Sequence, residues 1–303
     1  MRRVLYQVDS FTRTPFTGNP AGVVLGAEGL SDAEMLAIAR ELGNSETAFV
    51  LPADAGDHDV RVRFFTPTTE VPTCGHATVA AHFARTVEYG LPPGALRQRT
   101  GGGLVQRVEV RRDGDRVRIG MHQGAAGFGP ELDGGQVDRL LRALGAGTGD
   151  LADGGPVQIV STGHSKVLLP LRERAAVDAL RPDPAALTAL SREVGSNGFF
   201  VFTRDTGDPA LLTWSRMFAP AIGIAEDPVT GNGHGPLGAY LVRHGIVPPR
   251  DGRLVFTGRQ GAAMGRPGDV HVRVDVRPGG ELAVTITGDA VTAFRAELHG
   301  PHP

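Results

Sequence analysis

The sequence predicts an α+β chain of two similar halves, each a strongly curved sheet wrapped round one helix. Three observations carry this. Stretches with the alternation or β-branched content of strands outnumber helical ones. Two short helical stretches, Ala77–Val87 and Pro236–Arg243, are apolar nearly all round, the mark of helices enclosed by other structure. The segment leading into each is repeated: Arg63-Phe64-Phe65-Thr66-Pro67 is echoed by Arg216-Met217-Phe218-Ala219-Pro220. After each comes a loop, a small residue with a glycine, and the enclosed helix. The turns read Cys74-Gly75-His76-Ala77 and Thr230-Gly231-Asn232-Gly233. The loops differ in length, nine positions from Phe65 to Cys74 against twelve from Phe218 to Thr230. The seam is expected in the Gly-rich stretch Gly124–Gly155, with residues 1–120 plus 286–298 forming one half and 121–285 the other.

The elements follow in order. Strands are predicted at Arg3–Ser10, Ala21–Leu25, Thr47–Leu51, Val60–Phe65, Leu104–Val110 and Arg116–Met121, the last two flanking the hairpin signal Asp113-Gly114. Further strands are Val157–Thr162, Lys166–Leu169, Phe199–Thr203, Leu211–Phe218, Leu254–Thr257, Val270–Val276 and Leu282–Thr287. A separate last strand, Val291–Leu298, is expected to return to the first half. Helical periodicity marks Ser31–Leu42, with Ser31 as N-cap and Glu34 three residues on, then Val137–Leu144 and Pro184–Val194.

Composition narrows the function classes. The chain has 303 residues, 41% hydrophobic and 21% charged, and a formal charge of −2, which argues against a disordered or strongly basic nucleic-acid-binding chain. No run approaches the ~20 apolar residues that span a bilayer, and the N-terminus enters a strand without a signal-peptide core. With a single cysteine, Cys74, no intrachain disulfide and no CxxC metal site can form. The reading is a cytoplasmic protein with neither nucleic acid nor membrane as partner. The ten histidines are dispersed, and His299 and His302 stand in a Pro/Gly tail expected to fray. No HExxH, GxGxxG, Walker A or GxSxG pattern occurs, so no metal site is expected.

The repeated turns can support a different chemistry. A helix that begins at a glycine presents free N–H groups and a partial positive charge, a ready position for an anion. The two helix starts are expected to lie opposite each other, facing a small carboxylate-bearing substrate. Proton-moving groups cluster at the same turns: Glu46 before the strand Thr47–Leu51, His76 at the first helix start, and Asp227 just before the second. Each has an ordinary alternative. Glu46 could be a strand-edge carboxylate, Asp227 before Pro228 a turn cap, His76 a satisfied histidine, and Cys74 a buried small hydrophobe or an activated thiolate. Their shared position at repeat-related turns raises them together.

At these residues the sequence resembles the phenazine-biosynthesis PhzF-like proteins. The resemblance rests on Gln7-Val8-Asp9-Ser10-Phe11, Phe16-Thr17-Gly18-Asn19-Pro20-Ala21, Ser45-Glu46-Thr47-Ala48-Phe49-Val50, and Phe65-Thr66-Pro67-Thr68-Thr69-Glu70-Val71 with Cys74-Gly75-His76-Ala77-Thr78. It continues through Val160-Ser161-Thr162-Gly163, Glu226-Asp227-Pro228-Val229-Thr230-Gly231 and Gly265-Arg266-Pro267. It implies a diaminopimelate-epimerase-like fold with its active site in a cleft between the halves, commonly a homodimer, and an isomerase needing no cofactor. It implies Glu46, His76 and Asp227 as catalytic residues, with Asn19, Cys74, Gly75, Thr230, Gly231, Asn232 and Gly233 binding substrate. Racemising relatives carry a cysteine at each paired turn; here the second position is Thr230, so a symmetric two-thiol mechanism lacks one base. The alternatives are a racemase or epimerase using Cys74 with a carboxylate partner, and a non-catalytic binder of small carboxylates. The chain departs from the common pattern at Pro72-Thr73, at Asn232-Gly233-His234, where many members have Ser-Ala, and at His164-Ser165-Lys166, which is more polar than usual.

Overall fold

A computed structural model describes residues 3–298, and the chain divides into two compact units, Met1–His122 with Thr287–Pro303, and Gln123–Ile286. His299 and His302 lie outside the described residues.

The first unit runs β1 (Arg3–Ser10), β2 (Asn19–Leu25), α1 (Asp32–Leu42), β3 (Thr47–Pro52), β4 (Val60–Phe65), β5 (Glu70–Val71), α2 (Gly75–Tyr89), β6 (Gly94–Thr100), β7 (Val105–Asp113) and most of β8 (Arg116–Ala125), whose end from Gln123 on belongs to the second unit. β1 pairs antiparallel with β2, β2 parallel with β3, β3 antiparallel with β4, and β4 parallel with β6, while short β5 folds back on β4. Alternation along β3 and β4 divides the faces. Phe49 and Phe65 meet Met35 and Ala39 of α1; the opposite face receives α2, whose Ala77, Ala80, Ala81 and Ala84 are fully buried. The expected capping box holds α1, with the Ser31 hydroxyl accepting from Glu34 N–H and the Glu34 carboxylate accepting from Ser31 N–H.

The second unit repeats this order. After β9 (Gly127–Glu131) and α3 (Gly134–Leu144) come β10 (Gln158–Ser161), β11 (Ser165–Pro170), α4 (Arg174–Ala179), α5 (Pro184–Val194), β12 (Phe199–Thr203), β13 (Thr213–Ala219), β14 (Ile224–Asp227), α6 (Gly231–Arg243), β15 (Arg253–Gln260) and β16 (Gly268–Val276). β10–β11 is antiparallel, β11–β12 parallel, β12–β13 antiparallel and β13–β15 parallel, with β14 folded back on β13. One sheet face packs Val167, Leu169, Phe199, Val201 and Phe218 against α3, α4 and α5. The other encloses α6, with Phe200 edge-on to His234 and Phe202 edge-on to Tyr240. β17 (Leu282–Leu298) closes the chain.

The repeated motif is repeated in detail. The Arg63 guanidinium donates to both oxygens of Glu70 on β5, at 2.9 and 2.6 Å, and lies 5.0 Å from the Phe65 ring. Arg216 does the same with Glu226 on β14, at 2.8 Å twice, and lies 5.0 Å from the Phe218 ring. In both copies the glutamate stands four residues before the small residue that opens the helix.

Two expectations need correction. α6 begins at Gly231, so Pro236 lies inside it and does not start it. The glycines inside α6 admit neighbouring side chains: a Cβ at Gly233 would come 2.2 Å from the Phe200 ring, and one at Gly238 2.8 Å from Val272. The two terminal strands are one, β17, because the stretch around Gly288 stays extended; a Cβ there would lie 2.5 Å from the Phe11 ring. The short strands β5, β9 and β14 and helix α4 carry too few residues for a periodic signal, and β6, Gly94–Thr100, is largely polar; none of these was predicted.

Both enclosed helices carry a buried histidine held neutral. Burial pushes His82, bonded to Gln98 at 2.7 Å, down to about 3, and His234, bonded to the Thr230 carbonyl at 3.0 Å, down to about 4. Their folded values lie below the ordinary 6.5, so as pH falls below that value the unfolded chain takes up protons that the folded chain refuses. Stability is therefore expected to fall on acidification between pH 6.5 and 4, each histidine adding a slope of about 1.4 kcal/mol per pH unit. Urea melts at pH 7, 6 and 5 test this. A flat profile, or a slope unchanged in His82→Gln, contradicts it.

Candidate active site

In the first unit, β2–β3 pairing begins at Gly22 opposite Thr47, which fixes where the chain enters β3 and so where Ser45 and Glu46 stand. The β1–β2 hairpin sets Ser10 opposite Asn19, and the Ser10 hydroxyl donates to the His76 carbonyl at 2.8 Å, holding the first turn of α2. Cys74 is the extended N-cap of that helix and makes no side-chain capping bond. Among the described residues, of the first N–H groups of α2 only that of Thr78 has a backbone acceptor, the Cys74 carbonyl at 3.1 Å.

These restraints put His76 at the centre of a small buried cluster. Its Nε2 lies 3.4 Å from Glu46 Oε2 and 3.4 Å from the Ser45 hydroxyl, and its Nδ1 lies 3.5 Å from Cys74 Sγ. The side chains of His76 and Glu46 are 8% and 13% exposed. Glu46 Oε2 is shielded from solvent and accepts no hydrogen bond among the described residues. A carboxylate oxygen left without a donor is costly in a folded chain and available to a proton. The donor atoms of Glu46, Cys74 and His76 lie within 4.8 Å of one another, a set whose types also suit a divalent cation such as zinc. Asn19 is buried at the start of β2, one hairpin pair from this cluster.

In the second unit, the corresponding turn is built from hydrogen bonds instead. The Thr230 hydroxyl donates to Asp227 Oδ2. Gln260 Nε2 donates to the Asp227 carbonyl at 2.6 Å and the Thr230 hydroxyl at 3.1 Å, and Gln260 Oε1 accepts from Thr230 N–H at 3.0 Å. Gln123 Nε2 donates to Asn232 Oδ1 at 2.8 Å and the Gly231 carbonyl at 3.2 Å, while its Oε1 accepts from the Thr162 hydroxyl at 2.8 Å. The N–H groups of Gly231 and Asn232 have no acceptor among the described residues. Gly233 differs from its neighbours: its N–H bonds the Thr230 carbonyl at 3.1 Å and its open face takes the Phe200 ring, so it serves packing.

Of the residues singled out from the sequence, Asn19, Glu46, Cys74, Gly75 and His76 therefore gather in the first unit. Asp227, Thr230, Gly231 and Asn232 gather in the second. Sequence reasoning singled out none of Ser10, Gln123, Thr162 and Gln260 as site residues; Ser10, Gln123 and Gln260 orient the turns from distant strands, and Thr162 anchors Gln123. Only the match of Glu70-Val71-Pro72-Thr73-Cys74-Gly75 with Glu226-Asp227-Pro228-Val229-Thr230-Gly231 could have exposed the paired glutamates.

A family model described as phenazine biosynthesis-like protein matches residues 8–296. The chain is 49% identical over 297 residues to the uncharacterized isomerase YddE of Escherichia coli (strain K12), covering 98% of each chain. It is 33% identical over 299 residues to the trans-2,3-dihydro-3-hydroxyanthranilate isomerase of Pseudomonas chlororaphis, covering 96% of this chain and 97% of the other. It is similar to the crystal structure of the Bacillus anthracis phenazine biosynthesis protein of the PhzF family, with a TM-score of 0.89 and 29% identity over 99% of this chain and 100% of that one. With two units of one topology, each closed round a helix that starts at a glycine, the chain belongs to the phenazine biosynthesis-like family, has its diaminopimelate-epimerase-like fold, and is an isomerase of the PhzF type.

Proposed function

We propose that the chain is a cofactor-independent isomerase that moves a proton on a small carboxylate-bearing substrate, with Glu46 as general acid and base. The observation that carries this reading is the shielded Glu46 Oε2, which accepts no hydrogen bond among the described residues and lies 3.4 Å from His76 Nε2. Glu46 takes a proton from a carbon beside a conjugated or carboxylate-bearing system and returns it at another position. The electron pair shifts along the conjugated system, so no oxidant or reductant enters. Uncapped N–H groups at a helix start stabilise the enolate-like charge that develops. His76 is proposed to orient the Glu46 carboxyl, and Asp227 to assist. The dihydro-hydroxyanthranilate isomerase among the relatives supports a cyclic, conjugated carboxylate as the first substrate to try.

One observation favours a second reading. Cys74 is buried at a helix N-terminus with its Sγ 3.5 Å from His76 Nδ1, a thiol with an imidazole within reach. A racemase would use that thiol with a carboxylate as its opposite-face partner. Against it, the repeat-related position holds Thr230, whose hydroxyl is engaged with Asp227.

Two variants separate these readings. Incubation in D₂O with trans-2,3-dihydro-3-hydroxyanthranilate, then with a panel of small carboxylates, reads deuterium uptake by mass and position by NMR. Glu46→Gln is expected to lower turnover by about 10²-fold or more while leaving the fold intact, since glutamine keeps size but cannot take the proton. A wild-type rate in that variant returns Glu46 to a strand-edge carboxylate. Cys74→Ala is expected to keep near-normal turnover with one deuterium delivered to the new position. Complete loss, with exchange at a racemising centre, favours the thiol mechanism.

A further inference from the structure

Of the 31 lysine and arginine residues in the chain, one alone is lysine, Lys166. It is also one of the few buried cations, 4% exposed, on a strand whose next three residues are Val167, Leu168 and Leu169. Arginine stays charged and suits fixed ion pairs; lysine offers a compact ammonium that burial can tune. A purely structural role on this strand would be met by another apolar residue.

The registers show which way Lys166 faces. Leu168 pairs with Phe200, Phe200 with Met217, and Met217 with Asp227. Alternation therefore places Lys166, Leu168, Phe200, Met217 and Asp227 on the sheet face that encloses α6, opposite the face of Val167, Leu169, Phe199 and Phe218. The turn before β11 carries Thr162, which Gln123 ties to Asn232 and Gly231 at the start of α6. Lys166 thus shares that face with Asp227, four residues before the uncapped start of α6, and feels its charge. Its ammonium donates once, to the Ser165 carbonyl at 3.2 Å, and makes no ion pair among the described residues.

The charged and titratable groups that act on it are two. Asp227 favours the ammonium, whereas His164 is itself pushed down by burial and by Lys166. Burial outweighs Asp227 and brings Lys166 down to about 8. A buried ammonium using one of its three donors, on the face that encloses α6, whose start has two backbone N–H groups without acceptors among the described residues, makes a locus of positive charge that the protein itself leaves largely unanswered.

We propose that Lys166 is an anion-binding residue, receiving a ligand carboxylate together with the Gly231 and Asn232 N–H groups. It rests on the reading of the substrate as a carboxylate, but not on which group moves the proton. A bound carboxylate favours the ammonium, so ligand affinity falls as pH rises through about 8.

Because the chain has one lysine, protein grown with ¹³Cε-lysine gives a single side-chain signal whose pH titration reads Lys166 directly. Acetate and benzoate serve as probes. The expected result is that a saturating probe raises the midpoint of that titration by about one unit or more, and that Lys166→Met weakens binding about tenfold or more while Lys166→Arg restores part of it. Three results overturn the proposal: neither probe binds the wild-type chain, a probe binds without moving the Lys166 midpoint, or Lys166→Met binds as tightly as wild type. The wild-type titration stands even if a variant misfolds. Repeating it on Glu46→Gln keeps the two claims apart, since that protein still binds the probe through Lys166 whether or not Glu46 is the base.

Discussion

The two-toothed ion pair between the arginine of each R-x-F-x-P segment and the glutamate that follows it is the constraint on which both turns depend. Arg63 with Glu70 and Arg216 with Glu226 each tie a long strand to a short one folded back upon it. The guanidinium also lies over the phenylalanine two residues on, at 5.0 Å in both copies. Arginine suits this place because its planar fork meets both carboxylate oxygens while its face rests on a ring. Arg216 is further held by the carbonyls of Val177 and Leu180 at the end of α4, at 3.3 and 3.0 Å, so nearly all of its donors are met in a buried setting. From each glutamate, four residues lead to the small residue that opens the enclosed helix. Fixing the glutamate therefore fixes the position of Cys74 and Thr230.

On that shared frame the two copies have separated chemically. The residue after the glutamate is Val71 in one and Asp227 in the other; the helix opens at Cys74 or Thr230, and its second residue is His76 or Asn232. The first turn becomes an acid–base cluster of carboxylate, imidazole and thiol. The second becomes a hydrogen-bonded mesh of Asp227, Thr230, Gln260, Gln123 and Asn232. Both helices remain almost wholly buried, and both reach burial by smallness on one side: alanines in α2, glycines in α6. A helix start enclosed in this way cannot be hydrated freely, which is why its unmet N–H groups are suited to hold an anion.

Much of this was legible in the sequence because its signals are local or repeated. The Ser31–Glu34 capping box, the all-round apolar character of Ala77–Val87 and the doubled R-x-F-x-P each need only neighbouring residues to be read. Pro184–Val194 and Phe199–Thr203 match their predicted bounds for the same reason. The rest depended on pairing between distant segments. β5 and β14 are too short to show alternation, and their strand character exists only because β4 and β13 accept them. The first residues of α6, Gly231-Asn232-Gly233, read as a turn, and their place in the helix shows only once Phe200 is seen filling the space beside Gly233. Ser10, Gln123 and Gln260 orient the turns from strands far away in sequence, and no spacing rule would reveal them. Lys166 was visible as a polar departure, but its meaning comes from the sheet face it occupies.

A double-mutant cycle on Arg216→Met and Glu226→Leu, read as unfolding free energies of the two single variants and the double variant, tests the role of the repeated ion pair most directly. If the pair holds the turn before α6, each single variant is destabilised because it strands a buried charge, and the two changes couple by about 2 kcal/mol or more. Additive losses, with coupling within about 0.5 kcal/mol of zero, would contradict the account and leave the position of Thr230 to the Gln260 hydrogen bonds alone.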